Sequence, residues 1–148
     1  MKPLIVLLSV FGICISITAL LGNTDVNFSG RIAMSAMLAF TAMGHFKFTD
    51  GMAMMLPQSV PAKKQIVLAT GVIEIVAAIG LLVTSAIQIT GILLIVFFVM
   101  ILPANIYAAV KKVDLEKADH SGNGINYLWF RVPEQLFFIA WVYFFTVR

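Results

Sequence analysis

Arg131, Glu134 and Gln135 stand at i, i+3 and i+4 within the apolar run 127–147, a spacing that puts all three on one helix face. A guanidinium there is a permanent cation with five donors, suited to a carboxylate, phosphate or carbonyl, and its two neighbours supply acceptors. Glu74 lies near the middle of another apolar run, where an acidic side chain costs roughly 2.5–3.5 kcal/mol on the insertion scale. It needs a partner or a proton. Its helical neighbours Thr70, Gly71, Ala77 and Ala78 are small, so another helix can come close and Glu74 is expected to face protein. His45, late in a third run, and Asn105, just after Pro103, complete a candidate ligand-binding set: His45, Glu74, Asn105, Arg131, Glu134 and Gln135. Pro103 and Pro133 remove backbone donors, which leaves the carbonyls of Val99 and Trp129 as local acceptors. The charges of the set nearly balance. It can accept a proton, or it can be a satisfied structural network that fixes helix register, and the sequence leaves both readings open.

Other chemistry is poorly supported. The single cysteine, Cys14, excludes an intrachain disulfide and a CxxC pair. His45 and His120 are the two histidines, and His120 sits in a polar stretch, so neither a bis-histidine haem nor a histidine metal site is expected. The run Met52, Met54, Met55 has no Cys or His ligand beside it and reads as gap-filling rather than Cu(I) binding. No nucleophile elbow, phosphate loop or triad can be argued from spacing, so catalytic residues stay unassigned and whether a reaction is catalysed stays open.

The elements that must position these residues are membrane helices. Of 148 residues, 61% are apolar and 11% charged, with a mean hydropathy of +1.00, far from the soluble range. The net charge of +3 is spread singly or in pairs beside apolar runs, as topology signals are, and no nucleic-acid partner is expected. Five segments are expected to span: 4–21, 31–48, 65–83, 87–110 and 127–147. A signal peptide is the competing reading of the first, but its apolar run exceeds an h-region of ~7–15 residues and no clear cleavage site follows. With the N-terminus inside and the C-terminus outside, Lys2, Lys47, Lys63, Lys64, Lys111, Lys112 and Lys117 fall on the cytoplasmic side, with Arg31 and Arg148 opposite. The expected location is therefore the plasma membrane, with several passes through the lipid bilayer. The Met-rich loop 47–64 is expected to lie on or dip into the bundle mouth, and the charged loop 111–126 to be an ordinary solvated connection. Tyr127, Trp129, Trp141 and Tyr143 bracket the fifth helix as interface and packing residues. On this topology the polar set converges on one polar, partly hydrated cavity enclosed by the second to fifth segments, open to the cytoplasm.

The runs GHFKFTDGMAMMLPQSVP (44–61), TGVIEIVAAIGLL (70–82), ILPANIYAA (101–109) and YLWFRVPEQLFFIAW (127–141) resemble the DoxX-like family of membrane proteins in order and spacing. The resemblance implies an all-α, single-domain fold: a four-helix core over 31–147 with one additional N-terminal helix over 1–22. His45, Pro57, Glu74, Pro103, Asn105, Arg131, Pro133 and Gln135 match the family pattern, whereas Glu134 stands where an apolar residue is more usual. The resemblance also implies an association with redox systems, with a quinone as the expected ligand and a redox protein as the expected partner. Three readings follow: a quinone- or small-molecule-binding accessory subunit, a proton-coupled carrier acting as a homo-oligomer, and a scaffold or assembly factor without a ligand.

Overall fold

Each apolar segment satisfies its backbone donors and acceptors internally as a helix. Among the described residues the only β pairing is an isolated bridge between Asp114 and Asp119. The computed structural model describes residues 2–22 and 24–148; Met1, which belongs to the expected segment 1–22, and Asn23 lie outside the described residues. The helices are α1 (Lys2–Leu20), α2 (Val26–Lys47), α3 (Thr49–Ala53), α4 (Lys63–Gly80), α5 (Ile87–Val110) and α6 (Leu128–Val142). A 3₁₀ turn, Thr84–Ala86, leads into α5, another, Gly124–Tyr127, leads into α6, and a π turn, Tyr143–Val147, prolongs α6. The fourth expected segment agrees with α5 residue for residue. The second begins earlier than expected, because Asp25 caps α2 by accepting from the Phe28 N–H at 2.8 Å.

Two of these helices, Lys2–Leu20 and Thr84–Val110 counted with its 3₁₀ lead-in, are long and apolar enough to cross a membrane. The central strut is α2, which packs against α1 on one side and α4 on another, while α5 pairs with α6. Leu7, Met34, Leu38, Leu81, Leu94, Phe98, Phe138 and Val142 meet in the core. Polar bonds tie the layers: Ser35 Oγ donates to the Ala78 carbonyl at 2.7 Å, and Trp141 Nε1 donates to the Gly30 carbonyl at 3.1 Å. Trp141 also carries Phe11 of α1 edge-on at 4.8 Å, and so sits in packing more than at an interface. Trp129, by contrast, is 84% exposed.

Many large apolar side chains also lie on the outside of the bundle. Buried positions of α4 are Val67, Gly71, Glu74, Ala77 and Ala78, while Val72, Ile73, Val76 and Ile79 point outward. Helix α5 buries Thr90, Gly91 and Asn105 beside Leu94 and Phe98, and exposes Ile89, Leu93, Val96 and Met100. Small and polar groups thus share the buried faces with the apolar core.

One end of the bundle holds every lysine. There Lys2 of α1 pairs with Glu116, and Lys64 of α4 pairs with Asp50 of α3 at 2.6 Å. The Met-rich loop does fold onto this mouth, in part as the short helix α3, whose Gly51 and Ala53 are buried. A Cβ on Gly51 would stand 2.1 Å from the Leu115 carbonyl oxygen, so only glycine admits this contact. Loop 111–126 is largely exposed, as expected of a solvated connection, and it is also folded. Its backbone closes on itself through Asp114 N–H to the Asp119 carbonyl at 2.8 Å and Gly122 N–H to the Lys112 carbonyl at 2.7 Å. Lys112 and Ala118 accept positive φ values of 53° and 52° to make these turns. Ser121 donates its hydroxyl and its N–H to the Asp119 carboxylate, and these bonds hold that carboxyl below its usual range. Leu115 lies against α3, and the loop lids the bundle mouth.

Candidate functional site

Helix α2 brings His45 to the mouth side of the bundle, and α4 meets it with Gly71. A Cβ at Gly71 would come within 2.8 Å of the His45 Cβ, so the missing side chain lets the imidazole lie against α4. His45 Nε2 then stands 3.4 Å from Glu74 Oε1, and His45 Nδ1 stands 3.1 Å from both the Val67 carbonyl and Thr70 Oγ1. Glu74 is only 4% exposed, and its buried Oε2 has no hydrogen-bond partner among the described residues. The expectation that the small-residue stripe turns Glu74 toward protein holds, and the helix it faces is α2.

A second network joins α5 to α6. Asn105 Nδ2 donates to Gln135 Oε1 at 2.8 Å, and Gln135 Nε2 donates to the Phe98 carbonyl. The carbonyl used is thus Phe98, next to the Val99 carbonyl that Pro103 leaves without its helical donor. Arg131 reaches Glu134 Oε2 and Asn105 Oδ1, each at 3.5 Å. Charge-assisted bonds settle near ~2.7–2.9 Å, so the guanidinium is held loosely and keeps donors to spare. Glu134 is buried, whereas the Arg131 side chain is 26% exposed.

The single cavity expected for all six residues is not what the fold builds. His45 and Glu74 meet between α2 and α4, and Asn105, Arg131, Glu134 and Gln135 meet between α5 and α6. A cavity of about 40 Å³ at the mouth is lined by Asn105 and Arg131 of the six, with Met55, Leu115, Asn123 and Tyr127 around them. The other four are absent from its lining: His45 and Glu74 lie between other helices, and Glu134 and Gln135 are buried against α5. Sequence reasoning missed Thr70 as a partner of His45 and the loop residues Leu115 and Asn123 as walls of the cavity. Thr70 carried a signal, one turn before Glu74 on the same face. Among the described residues, no group of three His, Cys, Asp or Glu side chains converges as a metal site requires.

A family model described as Domain of unknown function (DUF8561) matches residues 34–146. The match takes in both networks and leaves out α1. No curated protein and no solved structure matches the chain.

Proposed function

Because the chain belongs to the DUF8561 family, a domain of unknown function, its own geometry must carry the reading, and we propose a multi-pass membrane protein that binds a small lipophilic ligand by its polar head at Arg131. The outward apolar faces of α4 and α5 support five spans in the plasma membrane, and the gathering of every lysine at one end supports a cytoplasmic mouth with the N-terminus inside. Trp129, exposed near that mouth, suits the headgroup layer.

The observation that carries the proposal is the loosely held guanidinium of Arg131, partly exposed, at the edge of a cavity behind a folded lid. Its spare donors match an anionic or carbonyl-bearing head. In the closed form the cavity has room for one or a few waters rather than a ring, so a quinone-sized head enters only when loop 111–126 lifts. A quinone, and service as an accessory subunit to a redox partner, rest on the DoxX-like motifs. The Asn105–Gln135–Phe98 chain favours a second role for part of the set, since every bond in it is internal and it locks α5 to α6.

Native mass spectrometry with lipid extraction, on protein purified in mild detergent, tests the binding reading. Wild type is expected to carry a discrete molecule that Arg131→Gln loses at matched thermal stability. A wild type without any such molecule, or a folded variant that retains it, rejects the reading.

A further inference from the structure

The contacts of His45 fix where protons sit on the His45–Glu74 pair. The Val67 carbonyl can only accept, and it lies 3.1 Å from His45 Nδ1. Thr70 Oγ1 donates its own proton to the same carbonyl at 2.7 Å, so the face it turns to Nδ1 is a lone pair. Nδ1 therefore carries a hydrogen. The opposite tautomer would set a bare nitrogen against a carbonyl oxygen and would leave the buried carboxylate without a neutralising charge.

With Nδ1 committed, Nε2 and Glu74 Oε1 at 3.4 Å must have one proton between them to attract each other. Either imidazolium faces carboxylate, or imidazole accepts from carboxylic acid. The two forms differ only in that the Nε2–H bond breaks as the Oε1–H bond forms, and both are neutral overall. We infer that His45 and Glu74 form a site for one exchangeable proton, reached from the mouth through His45 and stored on the pair. The gradient of exposure supports the direction, because the His45 side chain is 17% exposed and that of Glu74 is 6%. Glu74 Oε2, buried and without a hydrogen-bond partner among the described residues, is the atom left to meet a donor such as water when the site exchanges.

Neighbouring ionisable groups leave the pair as its own unit. On the elements packed against α2 and α4, these are Lys2 and Cys14 of α1, Asp50 of α3 bound to Lys64 of α4, Lys63 at the start of α4, Tyr107 of α5, Arg131 and Glu134 of α6 bound to each other, and Tyr143 of the π turn. Arg31 and Lys47 lie on α2 itself, toward its two ends. The inference does not rest on the ligand reading at Arg131, so failure of one leaves the other standing.

Nitrogen NMR on histidine-labelled protein in nanodiscs, in a His120→Gln background so that His45 gives every signal, is the test. Wild type is expected to show a protonated Nδ1, and Glu74→Gln is expected to show Nε2 as a bare, accepting nitrogen. A bare Nδ1 in wild type, or an Nε2 that is protonated in Glu74→Gln, overturns the inference. Where Glu74→Gln fails to fold, His45→Gln is read by infrared spectroscopy with labelled glutamate. A protonated-carboxyl band from Glu74 supports the inference, and an ionised Glu74 carboxylate overturns it.

Discussion

Gln135 illustrates how one side chain can serve two elements: it accepts from Asn105 and donates to the Phe98 carbonyl of α5. Replacing it with Leu deletes both bonds and leaves a buried amide donor on Asn105, and interhelical bonds of this kind contribute roughly 1–2 kcal/mol in membranes. Gln135→Leu is therefore expected to lower stability by about that amount, measured by steric trapping, with Thr146→Val as a control for a local bond within one helix. A loss no greater than the control would show that other partners replace Gln135. At this scale the sequence was legible wherever spacing within one helix decided the contact. Arg131 and Glu134 pair at i, i+3 as their positions require. That Glu74 meets His45, and Gln135 the Phe98 carbonyl, depends on which helices are neighbours, and spacing along one helix does not contain that.

Between elements, a close approach is made at Gly71, where α2 and α4 meet over the His45 Cβ. A methyl group there meets a Cβ, which cannot swing aside, so Gly71→Ala must push the helices apart or tilt one of them. The expected cost is about 1–3 kcal/mol, seen as a lower thermal midpoint in detergent, together with a lengthened His45–Glu74 contact and a perturbed His45 nitrogen spectrum. An unchanged midpoint would mean that α2 and α4 slide freely past each other. The long helices were readable because continuous apolar runs declare themselves, and α5 was found to the residue. Helix α3 was not, because five residues are too few to show a period. Loop 111–126 is exposed as its charges lead one to expect, but the contact of Leu115 with Gly51 of α3, which makes the loop a lid, is one that composition does not express.

For the whole molecule, orientation is the property that the charges decide. Cysteines introduced one at a time at Lys63, Lys117 and Arg148, in a Cys14→Ser background, are expected to react with an impermeant thiol reagent from outside the cell only at position 148. Labelling at 63 or 117 from outside would reverse the topology. The contact of Phe11 with Trp141 and Phe145, and the bond from Trp141 to Gly30, bear on manufacture as well. They join α1 and α2 to α6 and its π turn, elements far apart in the sequence. Without α6, the Gly30 carbonyl lacks its indole donor and α1 lacks the aromatic shelf that seats it. A nascent chain stalled before α6 would thus expose an open seam along α1 and α2. Quality control that surveys unsealed helices would have one event, the docking of α6, by which to tell sealed bundles from open ones.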